Sequence, residues 1–361
     1  MSLKNSLIRA VVTANGYICR RSEGNSKCFL VVSTTGVGDT LWGTPAIDAL
    51  RRTYPDSYIG ILTNPLGADI LKGNPAINEV FVFKRGISGI IKLPFLIRAL
   101  RNRRLGSVFI FHASDRIIWP IIALSCASEI TGFEGQSKGL DYILTKIISV
   151  QAPLHGVDNR FRMLADAGVD RHDETMSLYL AEEDRHEADA FLKKNGIASS
   201  ELLIGIHPGA QKPFKCWPAA RYAEVSKGLQ DRYRIVITGN AAEKELADRV
   251  ISGIRGAVSA AGQLSLRGTA ALIKKMSLFI TNDTGPMHMA SALKTPVIAI
   301  FGPTDPRLCG PCNAESATVI KAEKTCSLCI GKNCENPVCL EQITACGVID
   351  AAKSILGEDA G

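Results

Sequence analysis

Long apolar runs are missing from this chain. The best candidate, Ile117 to Ala127 (IIWPIIALSCA), is too short to span a bilayer and carries a proline. The N-terminus, MSLKNSLIRA, lacks the apolar stretch and small-residue cleavage site of a secretory signal. Aromatic residues are also scarce, at 6% of 361 positions, and charged residues reach only 21% against 46% apolar. That balance excludes a disordered or coiled-coil chain and fits a soluble globular enzyme of two ordinary domains, expected in the cytoplasm. Acidic residues are absent from Lys84 to Arg104, where seven Lys or Arg alternate with Ile, Leu and Phe (KRGISGIIKLPFLIRALRNRR). Two readings stay open for that segment. It is a docking face for an anionic lipid surface or phosphorylated acceptor, or a solvated helix face around an ordinary core stripe. The net charge of +7 favours an anionic partner without naming one, and nothing points to nucleic acid.

What is there begins with alternation. Strand-like apolar runs occur at 29–35 (FLVVSTT), 58–64, 80–83 and 107–113, with helical patterns between them. The plan repeats at 202–208, 233–240, 278–283 and 296–302. Strands that are apolar on both faces belong to a parallel sheet covered by helices. The expected fold is therefore α/β, with two doubly wound Rossmann-like domains, residues 1–180 and 181–361. SLYL (177–180) reads as a last short strand, and Gly196 as the cap of a charged helix. Two such sheets facing one another leave a cleft at their carboxyl ends, where ligands of open sheets bind. The last helix, VIDAAKSILG, is free to pack on either half. Of eleven cysteines, Cys326, Cys329, Cys334 and Cys339 lie close enough in the tail (326–346) for four thiolates to hold a structural zinc. The alternative is a loop whose cysteines merely pack, or pair on oxidation.

Candidate chemistry lies where strands run into glycine turns. GVGDTLWGTP (36–45) follows the first strand, yet it lacks the Lys-Ser/Thr of a P-loop and the third glycine of a dinucleotide fingerprint. Asp39 stands in it, with Thr44-Pro45 as an apparent cap and first-turn pair for the next helix. In the second half, Asn282-Asp-Thr-Gly-Pro-Met-His288 ends a strand and opens a helix. Backbone N–H groups there suit phosphate, and Asp283 suits sugar hydroxyls. His207 to Pro218 (HPGAQKPFKCWP) offers Lys212 and Lys215 to a diphosphate, and Thr238 to Glu245 is a third turn of the same kind.

These loops together resemble the glycosyltransferases of family 9, the heptosyltransferases of bacterial lipopolysaccharide core synthesis. The likeness rests on ITNDTGPMHMASAL with PVIAIFGPTDP, on HPGA with K-CWP, on GVGDTLWGTPAIDALRRTYPDSYIGILTN and on PLHGVDNRFRMLADAGV. It runs from about residue 29 to the cysteine-rich tail. The resemblance implies the GT-B fold and an inverting, metal-independent transfer of a sugar, heptose from ADP-heptose, with no cofactor. It also implies that the first glycine loop faces the acceptor, with Asp39 as general base and Gly38, Thr40 and Arg116 near the acceptor sugar. The donor then falls to Lys212, Lys215, Glu243 (with Glu245 close enough to compete), Asp283, Thr284, Gly285 and His288. A lipid-anchored oligosaccharide is the implied acceptor, and the inner face of the inner membrane a possible docking partner. Rival readings are a glycosyltransferase with another nucleotide sugar and glycan acceptor, a GT-B nucleotide-sugar epimerase, and a binding protein without turnover. An NAD-dependent dehydrogenase fits poorly, because the second strand ends Leu62-Thr-Asn without the ribose-binding acid.

Overall fold

The computed structural model describes residues 25–150, 152–171, 173, 175–312, 316–323 and 337–358, together with 5, 6, 8–10, 12, 13, 326 and 334. The chain divides into two compact units, 1–174 and 175–361. The expected boundary after residue 180 lies six residues beyond this division. Residues 177–180, expected as a last short strand, are irregular and lead into the helix Glu182–Lys194. That helix ends as anticipated, with Gly196 left-handed at φ 65 and Ile197 N–H donating to Leu192 O at 3.0 Å.

Unit one is a six-stranded sheet of β1 (Asn25–Ser33), β2 (Tyr58–Thr63), β3 (Glu79–Val82), β4 (Leu105–His112), β5 (Glu129–Phe133) and β6 (Lys146–Ile148), in the order β3-β2-β1-β4-β5-β6. Every neighbouring pair is parallel. Unit two holds β7 (Leu203–His207), β8 (Arg234–Ile237), β9 (Val258–Ser259), β10 (Leu278–Asn282), β11 (Val297–Phe301) and β12 (Ala317–Lys321), ordered β12-β11-β10-β7-β8-β9 and again all parallel. Numbered within its own unit, the second sheet has the same winding as the first. This is the doubly wound arrangement, and its strand order reverses between β1 and β4 and between β7 and β10.

Central strands are sealed on both faces. Leu30, Val31, Val32, Ile204, Ile206, Leu278, Phe279 and Ile280 have no exposed surface. The apolar run at 117–127 is the short buried helix Ile118–Leu124, with Ile118, Trp119, Ile121 and Ile122 turned into the core of unit one. No helix among the described residues is long and apolar enough to cross a membrane. The last helix, Ala345–Ile355, packs on Ala219–Leu229 inside unit two, where Val348 and Ala352 join the core.

Candidate functional site

Both switch points carry the loops singled out by sequence. In unit one, β1 runs into a five-residue helix, Val37–Leu41, capped by Gly36 without a side-chain bond. Asp39 therefore lies in a first helical turn and is not the cap. Thr44 caps nothing either: Gly43 holds the cap position of Thr44–Thr53, and the Thr44 hydroxyl donates back to Leu41 O at 2.8 Å. The Asp39 carboxylate is 29% exposed and receives one long contact, from Arg160 Nη2 to Oδ1 at 3.4 Å. Its Oδ2 has no hydrogen-bond partner among the described residues.

Arg160 comes from the helix Gly156–Leu164 and is itself buried. Its guanidinium lies 5.7 Å from the centre of the Trp42 ring, a cation–π distance. Trp42 meets the His155 ring edge-on at 5.7 Å. The ring lies so close to the helix that a Cβ at Gly156 would come within 2.3 Å of it, so only glycine fits there. Thus the glycine loop and the His-Gly-Val-Asp helix form one packed unit around Asp39. Burial pushes the Arg160 pKa below its ordinary value, against the opposing charge of Asp39. His112, at the end of β4, is lowered by burial too, with Asp39 acting to raise it and Arg160 and Lys138 to lower it.

Beside Arg160 a cavity of about 270 Å³ is lined by His112, Trp119, Phe133, Gln136, Lys138 and Asn159. Buried Arg160 Nε and His112 Nδ1 find no partner among the described residues. Lys138 is anchored by a hydrogen bond to Ser114 O, and Ser114 Oγ donates to Thr34 O at 2.6 Å. Unit one thus offers a carboxylate with an open oxygen beside a cationic, partly apolar hollow. That is a setting for a hydroxylated ligand, with Asp39 able to accept its proton.

In unit two the loop after β7 meets the loop after β10. Lys215, on the short turn Pro213–Lys215, donates to Asp283 Oδ2 at 2.6 Å. Thr304 Oγ1 donates to the same oxygen at 2.8 Å. Asp283 is nearly sealed, while Lys215 keeps about a quarter of its side chain open. Of the three ammonium protons, one is spent on Asp283, which leaves the cation able to meet a second anion. Cys309 Sγ lies 3.8 Å from Asp283 Oδ2, and burial followed by that neighbouring carboxylate pushes its thiol up to about 12. Asn282 fixes the register of both loops: its Oδ1 accepts from Trp217 N–H at 3.0 Å and Tyr222 O–H at 2.9 Å, and its Nδ2 donates to Pro208 O at 2.9 Å.

Beyond Asp283, Thr284 caps the helix Gly285–Ala292 in extended geometry, with Pro286 in the first turn and His288 buried. Glu243 folds onto the neighbouring turn, where its Oε2 accepts the Asn240 N–H at 2.8 Å. A Cβ added at Gly209 would lie 1.9 Å from Glu243 Oε1, so the carboxylate and the loop after β7 touch. Glu245 is exposed on the following helix and does not join them. His207, buried, shares a hydrogen bond of 3.1 Å with Thr238 Oγ1, and burial lowers its pKa against the pull of Glu243.

Not every anticipated residue reaches these sites. Thr40 is buried and its hydroxyl donates to Gly36 O at 3.1 Å, so it braces the glycine loop and is not open to an acceptor. Gly38 borders Asp39, half-buried in the same helix; Arg116 is exposed on the loop after β4, and Lys212 is exposed on the loop after β7. Of the possible zinc ligands, Cys329 lies outside the described residues. Among those described, no three His, Cys, Asp or Glu side chains gather to hold a metal. Arg160, His112, Thr304 and Cys309 were missed. Arg160 and Thr304 lay inside quoted motifs, where a buried arginine and a second hydroxyl carry no periodic signal.

The chain matches glycosyltransferase family 9 (heptosyltransferase) over residues 120–339. It is 30% identical to lipooligosaccharide heptosyltransferase 2 of Haemophilus influenzae over 309 residues, 81% of this chain and 88% of that one. It is 28% identical to lipopolysaccharide heptosyltransferase 3 of Escherichia coli over 284 residues, 74% of this chain and 80% of that one. A family 9 glycosyltransferase crystal structure from Veillonella parvula superposes with a TM-score of 0.80 at 26% identity, covering 93% of this chain and 98% of the other. The E. coli ADP-heptose lipopolysaccharide heptosyltransferase II gives 0.76 at 23% identity, covering 91% and 98%.

Proposed function

The chain belongs to glycosyltransferase family 9, the heptosyltransferases, and from that premise we propose that it moves heptose from ADP-heptose onto a lipid-anchored lipopolysaccharide core acceptor, with inversion and without a bound metal. The observation that carries the reading is Asp39: a carboxylate placed by the β1 switch-point loop, held by a buried arginine through one oxygen and open at the other.

In the proposed reaction Asp39 Oδ2 accepts the proton of the acceptor hydroxyl as that oxygen attacks the anomeric carbon. The bond from that carbon to the β-phosphate oxygen breaks, and the electron pair leaves on ADP. Lys215 and the N–H groups at Thr284 and Gly285 meet the growing diphosphate charge. Glu243, folded against Gly209, is set to accept from the ribose. A covalent intermediate would require a second, nucleophilic carboxylate, whereas single displacement needs Asp39 alone. ADP as the leaving group is supported by a structural relative solved with ADP, an E. coli heptosyltransferase of the same fold.

Titration calorimetry with ADP, UDP and GDP, followed by a transfer assay, tests the reading. ADP is expected to bind tightest without added metal. Asp39→Asn should lower turnover by about 10²- to 10⁴-fold and leave ADP affinity unchanged. A preference for UDP or GDP keeps the transferase and overturns the heptose donor. Full turnover by the asparagine variant removes Asp39 as base.

A further inference from the structure

The two helices after β3, Ile87–Ile91 and Leu93–Asn102, carry more apolar surface than the fold uses. Leu93, Leu96, Ile97 and Leu100 of the second helix already supply the stripe that packs on the core of unit one. Four more large apolar side chains face water: Ile87 at 79% exposure, Phe95 at 73%, Ile91 at 66% and Ile90 at 55%. The first three are the most exposed large apolar side chains among the described residues. Ile87, Ile90 and Ile91 share one helical face, since residues three and four apart are neighbours there.

Exposed cations surround them. Lys84, Arg85, Lys92 and Arg98 all lie at the surface, and the stretch contains no acid. Arg85 is held by Asp115 at 2.7 Å. Lys84, Lys92 and Arg98 make no ion pair among the described residues. Single exposed apolar residues need no explanation, but a cluster of this kind marks an interaction surface. Large apolar side chains ringed by unpaired lysine and arginine have the make-up of a face that lies in the headgroup layer of an anionic membrane. A second copy of this chain is a poor occupant, because a two-fold contact would bring the same cations face to face.

We propose that this face docks on an anionic bilayer, with Ile87, Ile90, Ile91 and Phe95 entering the boundary between headgroups and acyl chains while Lys84, Lys92 and Arg98 meet lipid phosphates. The inference deepens the reading of a lipid-anchored acceptor and takes its purpose, though not its physical basis, from that reading.

Co-sedimentation of the full chain with phosphatidylcholine vesicles, with and without phosphatidylglycerol, tests it. The wild type is expected to partition onto the anionic vesicles. Combined Ile87→Ser, Ile91→Ser and Phe95→Ser should weaken partitioning by more than about tenfold. Lys84→Gln, Lys92→Gln and Arg98→Gln should each weaken it by about fivefold. These side chains are exposed and outside the site, so melting temperature and turnover on a soluble, lipid-free acceptor should hold in every variant. Equal partitioning of wild type and serine variant overturns the proposal. So does a change of oligomeric state in that variant by analytical ultracentrifugation, which would make the patch a contact between copies. Vesicle binding is read without any donor, so a failure of ADP-heptose transfer leaves this result standing, and the reverse also holds.

Discussion

Asp283 is a carboxylate with almost no water and two donors on one oxygen, Lys215 and Thr304. Removing a donor would leave that carboxylate buried with less compensation, which is costly. Lys215→Met should therefore destabilise unit two by about 1–3 kcal/mol, below the usual range for a fully buried pair because Lys215 is partly open. It should also weaken binding of a nucleoside diphosphate, which a purely structural role would leave alone. Urea unfolding and calorimetry on the same variant separate the two effects: lost stability with full ADP affinity would confine Lys215 to holding Asp283. Arg160 is the counterpart in unit one. It is buried, paired to Asp39 by one long contact and stacked on Trp42, so it orients the carboxylate without closing it.

At the level of elements, β1, β4, β7 and β10 end in the loops that carry the candidate site residues, and two of them end in histidines whose charged form burial disfavours. His112 closes β4 and His207 closes β7, and both pKa values lie below the ordinary 6.5. Below pH 6.5 the unfolded chain takes up protons that the folded chain refuses. Each histidine thus leaves stability intact above 6.5 and removes it as the pH falls, at up to about 1.4 kcal/mol per unit. Urea midpoints measured from about pH 7 to about pH 5 should fall in both units. His112→Gln should flatten the slope for unit one alone, and an unchanged slope would mean that His112 titrates normally.

The inner strands were legible because burial on both faces makes them unbroken apolar runs. Of the outer ones, only β3 was read, at 80–83. β6, β9 and β12 are edge strands only partly buried, and β5, though buried, has its apolar run broken by Thr131 and Gly132. Glycine turns at strand ends were equally legible, and with them Asp39, Lys215 and Asp283. Thr40 and Thr44 misled because a hydroxyl beside a glycine turn reads the same whether it faces a ligand or a backbone carbonyl. Arg160 stayed hidden because its meaning depends on a contact 121 residues away in sequence.

On the scale of the whole molecule, each unit has its own sheet, its own switch point and its own core. The last helix closes on unit two, and just before it Ile343 O accepts from Trp217 Nε1–H at 3.1 Å. A unit with these features folds independently. The fragment 175–361 should therefore bind ADP within about tenfold of the full chain, a difference of about 1.4 kcal/mol. Calorimetry on the fragment checks this, and loss of binding in a folded fragment would require unit one for the nucleotide.

The stacking of Arg160 on Trp42 has an optical consequence. The chain has three tryptophans, and Trp119 and Trp217 are sealed in the two cores. Trp42 borders Asp39 with a cation over its ring, and Trp119 lines the neighbouring hollow. An indole's emission colour responds to charge held against its face. Unit one therefore carries its own fluorophore against Asp39, and Trp217, sealed in the core of unit two, supplies a steady background against which its colour is read.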